Sequence, residues 1–273
     1  MKLEKKRVLV VGMARSGIAA AELLLRHGAI PVLSDMKLEE AFGDQLDSLR
    51  NTACVFRLGE DSVKLLDEAD ILMISPGVPI DAPVVKVAKE KGIPVVGELE
   101  LASSLLNGDM LAISGTNGKT TTTTLLGKIF ENAGRITHVA GNIGYPLSAV
   151  AISAKKEDVT VVEVSSFQLE SVKTFHPHVA ALLNITEDHL NRHGTMAQYI
   201  RMKQRIFENQ TADDFAVLNY DDPVLNKMAE KLKSQVAFFS RTQQLENGAF
   251  VKDGKIVWQW KGETRPICDA DSI

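Results

Sequence analysis

Residues 110–126, MLAISGTNGKTTTTTLL, join a short apolar run to a helix-length segment through Gly115-Thr116-Asn117-Gly118-Lys119-Thr120. A brief, continuous apolar run that stops at glycine reads as a strand buried on both faces. Such strands belong to parallel sheets whose crossovers are helices. The intervening glycines let backbone N–H groups turn onto phosphate oxygens, and the following helix offers its positive end. The spacing is not the strict G-x-x-x-x-G-K pattern, which requires glycine where this chain has Ile113. The shorter loop keeps the same mechanics. Lys119 suits the β- and γ-phosphates, Thr120 suits Mg²⁺, and Thr121 is a further phosphate contact. Thr122, Thr123 and Thr124 read as packing or surface.

The same rhythm runs through the rest of the chain. Apolar strand patterns at Arg7–Val11, Pro31–Asp35, Ala53–Arg57, Ile71–Ser75 and Pro94–Val96 alternate with amphipathic segments. The first helix is expected over Ser16–His27, stopped by Gly28. A second series has strands near Met110–Ser114, Val159–Val164, Val179–Asn184, Asp214–Leu218 and Gln235–Phe239. The expected fold class is α/β: an N-terminal Rossmann-like parallel sheet over residues 1–97, then a P-loop-type α/β domain over 98–273. Asp253-Gly254, between β-rich arms near the end, signals a hairpin.

Composition excludes several function classes. A net charge of -4 and a pI near 5.9 give no general attraction to nucleic acid or anionic membrane. Cys54 and Cys268 lack metal-ligand spacing and read as free thiols of a reducing compartment. The amino-terminal apolar run meets Gly12 and Arg15 too soon for a signal peptide or membrane span. A cytoplasmic monomer is expected, without membrane insertion and without a nucleic-acid partner.

Three further stretches carry chemistry. Gly12-Met13-Ala14-Arg15-Ser16-Gly17 follows a strand and opens a helix, but lacks the middle glycine of a dinucleotide fingerprint. On this stretch alone, a tight strand–helix turn competes evenly with a nucleotide site. Asp35 ends the next strand at the usual ribose position, and Ser75–Pro79 (SPGVP) ends another at the carboxyl edge where α/β ligands bind. Glu163, in VVEVSSFQLE, closes an apolar strand and suits Mg²⁺ downstream of a phosphate loop. Ser165, Ser166 and Gln168 are candidates for substrate contacts. LLNITEDHLNRHGT gathers Asn184, Asp188, His189, Arg192 and His193 after a third apolar strand. The helix carrying Arg201, Lys203 and Arg205 reads, by pattern alone, as an exposed basic face.

Taken together, GTNGKT, EVSSFQLE, LLNITEDHLNRHGT and GMARSG…SPGVP resemble the Mur ligase family, in particular its D-glutamate-adding branch. GTNGKT by itself sets only the superfamily, which includes folylpolyglutamate synthases. The resemblance spans the chain. It implies a UDP-binding domain, a central ATPase domain and a third domain for the incoming amino acid. The activity it implies is ATP-dependent ligation of D-glutamate to UDP-N-acetylmuramoyl-L-alanine through an acyl phosphate, in peptidoglycan precursor synthesis.

The resemblance also implies residue roles. Gly115, Thr116, Asn117, Gly118, Lys119, Thr120 and Thr121 would bind ATP. Thr120, Glu163, His189 and Lys203 would serve two Mg²⁺ ions, with Lys203 carbamylated. Lys119, Glu163, His189 and Lys203 form the catalytic set. Arg15, Ser16, Asp35, Lys37, Ser75 and Gly77 match the uridine-nucleotide pocket, and Asn142 and Ser165 match contacts to the sugar-peptide end. Asn191 stands where the family usually has Asp. The adenine-contacting asparagine helix and third domain would follow residue 273, so a truncated chain is expected, binding the UDP-substrate but ATP weakly and not completing ligation. Another Mur ligase, a folylpolyglutamate synthase-like enzyme and a non-catalytic nucleotide-binding module are the alternatives.

Overall fold

The computed structural model describes residues 1–272. Their strands are β1 (Arg7–Val11), β2 (Ile30–Ser34), β3 (Val55–Phe56), β4 (Ile71–Ile74), β5 (Val95–Gly97), β6 (Asp109–Ser114), β7 (Thr137–Gly141), β8 (Val159–Glu163), β9 (Val179–Leu182), β10 (Phe215–Asn219), β11 (Gln235–Ser240), β12 (Gly248–Lys252), β13 (Lys255–Trp260) and β14 (Glu263–Asp269). The chain divides into two compact units, each α/β. One comprises 1–108, 138–158 and 167–175; the other comprises 109–137, 159–166 and 176–273.

The first unit is built on a parallel sheet ordered β3-β2-β1-β4-β5. Its strands are apolar on both faces because helices cover both: β1 and β4 bury Leu9, Val10, Leu72 and Met73 almost completely. The order reverses at β1, between β2 and β4, which opens a crevice at the carboxyl ends of those strands. The helix Arg15–Arg26 follows β1, and Gly28, at φ 72°, lets the chain leave it as expected. Gly17 is required for close packing: a Cβ there would lie 2.0 Å from the Gly12 carbonyl oxygen.

The compact unit passes residue 97, the expected end of the first domain, and takes in two later stretches of chain. Two buried acids on the short helix Glu98–Ser103 hold these stretches. Glu98 accepts from the Ser148 N–H at 2.7 Å, while burial pushes its carboxyl above the usual carboxylate range. Glu100 accepts from the N–H groups of Lys173 at 2.8 Å, Thr174 at 2.8 Å and Phe175 at 3.0 Å, and from the Thr174 hydroxyl at 2.6 Å.

In the second unit the strands run β14-β13-β12-β11-β10-β9-β6-β8. Pairing is parallel from β8 through β12 and antiparallel across β13 and β14. Ile113, Val159, Val161 and Ala181 form its central core, with Leu126 and Phe130 of the helix Lys119–Asn132 packed against them. Asp253-Gly254 makes the expected hairpin, both residues at positive φ. The sequence patterns did not mark β7, whose residues divide between the units, or β14, an exposed polar strand.

Replacing Glu100 with Ala should strand three consecutive backbone donors in the first unit. The expected cost is roughly 3 kcal/mol of unfolding free energy by denaturant titration, with Glu100→Gln losing less because one carbonyl oxygen remains.

Candidate functional site

β6 delivers the chain into the loop at Gly115, and Gly118, in the left-handed region at φ 82°, turns it into the helix Lys119–Asn132. That helix has no side-chain cap at its amino end, so its first-turn N–H groups remain the natural donors for an anion. Thr120 Oγ1 donates to Glu163 Oε2 at 2.8 Å. Glu163 ends β8 beside β6 and is 1% exposed, so its carboxylate is held at the loop by the sheet itself.

Two lysines reach the same carbonyl. Lys119 Nζ donates to Gly115 O at 3.0 Å and to Thr116 O at 2.9 Å, and Lys203 Nζ donates to Gly115 O at 2.7 Å. Lys203 lies on the helix Met196–Gln204, is 2% exposed, and sits 4.9 Å from the Tyr199 ring centroid. Burial, reinforced by the neighbouring Lys119 charge and opposed by Asp188, pushes its amine down to about 7. The exposed basic face read from the pattern therefore does not hold for Lys203.

The end of β9 supplies the opposing wall. Asn184 O accepts from Thr116 N at 3.0 Å, and Asn184 Oδ1 accepts from Asn117 N at 2.8 Å. Thr116 Oγ1 lies 3.1 Å from the Tyr199 hydroxyl. His189, in the left-handed region at φ 52°, opens the helix Leu190–His193, its ring nitrogen 3.4 Å from Asp188 Oδ2. His193 Nε2 lies 2.9 Å from Ser166 Oγ in a buried pair.

A separate cleft of about 1010 Å³ lies within the first unit at the carboxyl edge of β1, β2 and β4. Ser16, Asp35, Lys37, Ser75, Gly77 and Asn142 all line it. Asp35 is fixed by N–H donors from Met13 at 2.8 Å and Lys37 at 3.0 Å, and Ser75 Oγ donates to Gly12 O at 2.6 Å. Arg15 is placed differently: its guanidinium donates to Gly144 O at 3.0 Å, clasping the turn that carries Asn142, and is absent from the cleft lining. Ser165 follows β8 and belongs to the second unit.

The oxygens at the glycine-rich loop fit Mg²⁺, a hard cation that prefers oxygen ligands: a hydroxyl and a carboxylate oxygen meet there. Among the described residues no group of three or more His, Cys, Asp or Glu side chains forms a metal cage. No helix among the described residues is long and apolar enough to cross a membrane.

Asn184, Tyr199, Glu98 and Glu100 are structurally important residues that received no individual role from the sequence. Asn184 carried one signal, its position just beyond an apolar strand. The two acids carried none, since Glu on a short amphipathic segment reads as a solvated face.

Residues 113–264 match the family described as Mur ligase middle domain, and residues 6–97 match the Mur ligase MurD-like N-terminal domain. The chain is 45% identical over 273 residues to a UDP-N-acetylmuramoylalanine--D-glutamate ligase of Thermoanaerobacter sp. (strain X514), covering 100% of this chain and 60% of that protein. It is 49% identical over 263 residues to the protein of the same name from Geobacter sp. (strain M21), covering 96% of this chain and 58% of that protein. The chain thus spans about 60% of the length of the curated relatives it matches. In fold it resembles the UDP-N-acetylmuramate:L-alanyl-gamma-D-glutamyl-meso-diaminopimelate ligase from Neisseria meningitides, at TM-score 0.62 and 20% identity over 95% of this chain and 86% of that one. A murein peptide ligase from Psychrobacter arcticus 273-4 is similar at TM-score 0.60 and 15% identity, over 96% of this chain and 61% of that one. The match of residues 113–264, more than half of the chain, to the middle-domain family makes this chain a member of the Mur ligase family, and the glycine-rich loop closed by a strand-end glutamate lies within that match.

Proposed function

We propose that the protein to which this chain belongs is an ATP-dependent ligase that joins D-glutamate to UDP-N-acetylmuramoyl-L-alanine. The observation that carries this reading is the convergence of Lys119, Thr120, Glu163 and Lys203 on one glycine-rich loop. The names of the relatives supply the substrates. Residues 1–97 then form the UDP-substrate domain, with Asn142 joining its cleft, and 98–273 the ATP-binding domain.

A carboxylate is a poor electrophile. In this reading its oxygen attacks the γ-phosphorus of ATP and ADP departs, leaving an acyl phosphate. The amine of D-glutamate then attacks the acyl carbon, phosphate leaves and the amine loses its proton. Lys119 neutralises the transferred phosphoryl group, and the first-turn N–H groups of its helix hold the phosphate oxygens. Two bound Mg²⁺ ions would offset the repulsion between carboxylate and triphosphate. Thr120 and Glu163 would hold one, and His189 with Lys203 the other.

Lys203 as an ammonium would repel such an ion. Its buried amine shares a carbonyl with Lys119 and ionises near 7, so a substantial neutral fraction is available to react with CO₂. The resulting carbamate is an anion with two oxygen donors. In the first unit's cleft, Asp35 and Lys37 would take the nucleotide end, Ser16, Ser75 and Gly77 its diphosphate, and Asn142 the sugar-peptide end. Arg15 acts through the Gly144 turn.

Calorimetric titration with UDP-N-acetylmuramoyl-L-alanine should show binding, with Asp35→Ala weakening it at least about tenfold, or about 1.4 kcal/mol. No binding by the folded chain would sink the substrate assignment. Carbamylation is checked by ¹³C NMR in labelled bicarbonate. A carbamate signal should grow as pH rises through about 7, because deprotonation creates the nucleophile, and Lys203→Met should lack it. A signal of equal size in Lys203→Met would reject the assignment.

A further inference from the structure

In a glycine-rich loop, every backbone N–H is a candidate phosphate donor, and the loop binds an anion only if the right ones point inward. Here two are already committed. Thr116 N donates to Asn184 O at 3.0 Å, and Asn117 N donates to Asn184 Oδ1 at 2.8 Å. The Asn184 amide completes the grip by donating from Nδ2 to Asn117 O at 3.0 Å. Its side chain thus pairs with both polar groups of the Asn117 backbone, as a neighbouring strand would. Among side chains of this reach, only a primary amide offers acceptor and donor in one plane; a carboxylate keeps the acceptor alone, and Ala neither.

The other end of the loop is set up differently. Gly118 accepts from Thr122 N, which begins the helical ladder, while the first-turn N–H groups before it precede any helical partner. We propose that Asn184 is a positioning residue that fixes the polarity of the phosphate loop. It turns the Thr116 and Asn117 N–H groups away from the ligand, so that phosphate meets the first turn beginning at Lys119. Asn117 is then a structural member of the loop, and its N–H is no phosphate donor.

Anchorage at β9 gives the grip its leverage. Ile185 N, one residue on, donates to Asp222 Oδ2 at 2.9 Å, and Asp222 Oδ1 also caps the helix Pro223–Ala229 through Val224 N at 2.9 Å. The segment that holds the loop is therefore itself held from the far side. The role rests on the loop being a phosphate site, as proposed above.

The test combines amide hydrogen exchange by NMR with titration of Mg-ATP into the unaltered chain, Asn184→Ala and Asn184→Asp. The Asn117 amide should exchange at least about tenfold faster in Asn184→Ala and regain protection in Asn184→Asp, which keeps the acceptor. Mg-ATP affinity should fall about tenfold in Asn184→Ala, while the Tm of all three chains stays together. An Asn117 amide indifferent to Asn184→Ala, or an accelerated amide with unchanged Mg-ATP affinity, would overturn the role of Asn184 alone. Absence of Mg-ATP binding by the unaltered chain would overturn the phosphate-loop assignment and this role with it.

Discussion

Two amines meet on one oxygen, the carbonyl of Gly115. Two ammonium groups sharing an acceptor repel each other, and Lys203 also lacks water. A fold keeps a lysine in such a place only where the strain has a use, and perturbed amines cluster at sites of chemistry for that reason. The surrounding structure is arranged to sustain it. Thr195 caps the helix that carries Lys203, accepting from Gln198 N at 3.2 Å, and Tyr199 on that helix reaches the hydroxyl of Thr116. From the opposite side, the end of β9 grips the next two residues of the loop. The loop is therefore held by two helices and by the segment after β9, which is the fixing that preorganised electrostatics require.

Both units apply one geometrical rule. Parallel strands send all their carboxyl ends to the same edge, so residues far apart in sequence are gathered there without a dedicated scaffold. In the first unit, β1, β2 and β4 are followed directly by Gly12, Asp35 and Ser75, and the Gly12 carbonyl accepts from the Ser75 hydroxyl. In the second, Gly115 follows β6, Glu163 ends β8 and Asn184 lies just beyond β9, and the adjacency of these strands brings acid, loop and amide together.

That rule explains what was legible in the sequence. Where a polar residue follows an apolar strand, pattern alone locates both the strand and the edge, which is why Asp35, Ser75, Glu163 and the loop at Gly115 could be read. Lys203 could not be read from periodicity, because Arg201, Lys203 and Arg205 look alike on a helix. Positions 201 and 205 share one face, while 203 turns toward the loop and is buried. Only family resemblance distinguished it. β14 was missed for a different reason: its residues are almost all exposed, so no burial period marks it, and pairing with β13 alone makes it a strand.

The compact units illustrate a deeper limit. The first unit is assembled from three stretches of chain, and the bonds that dock the later two run mostly from side chain to backbone. Glu98 binds the Ser148 N–H, Glu100 binds three consecutive N–H groups, and Arg15 binds the Gly144 carbonyl. A backbone partner has no residue identity, so neither composition nor spacing in 138–158 or 167–175 announces that it is being held. The same property suits the cleft. Asn142 sits in a turn fixed at Gly144 by Arg15 and followed by a helix start fixed by Glu98, so its position depends on main-chain atoms. Neighbouring side chains can then change while this wall of the cleft stays in place, provided that Arg15 and the buried acid remain.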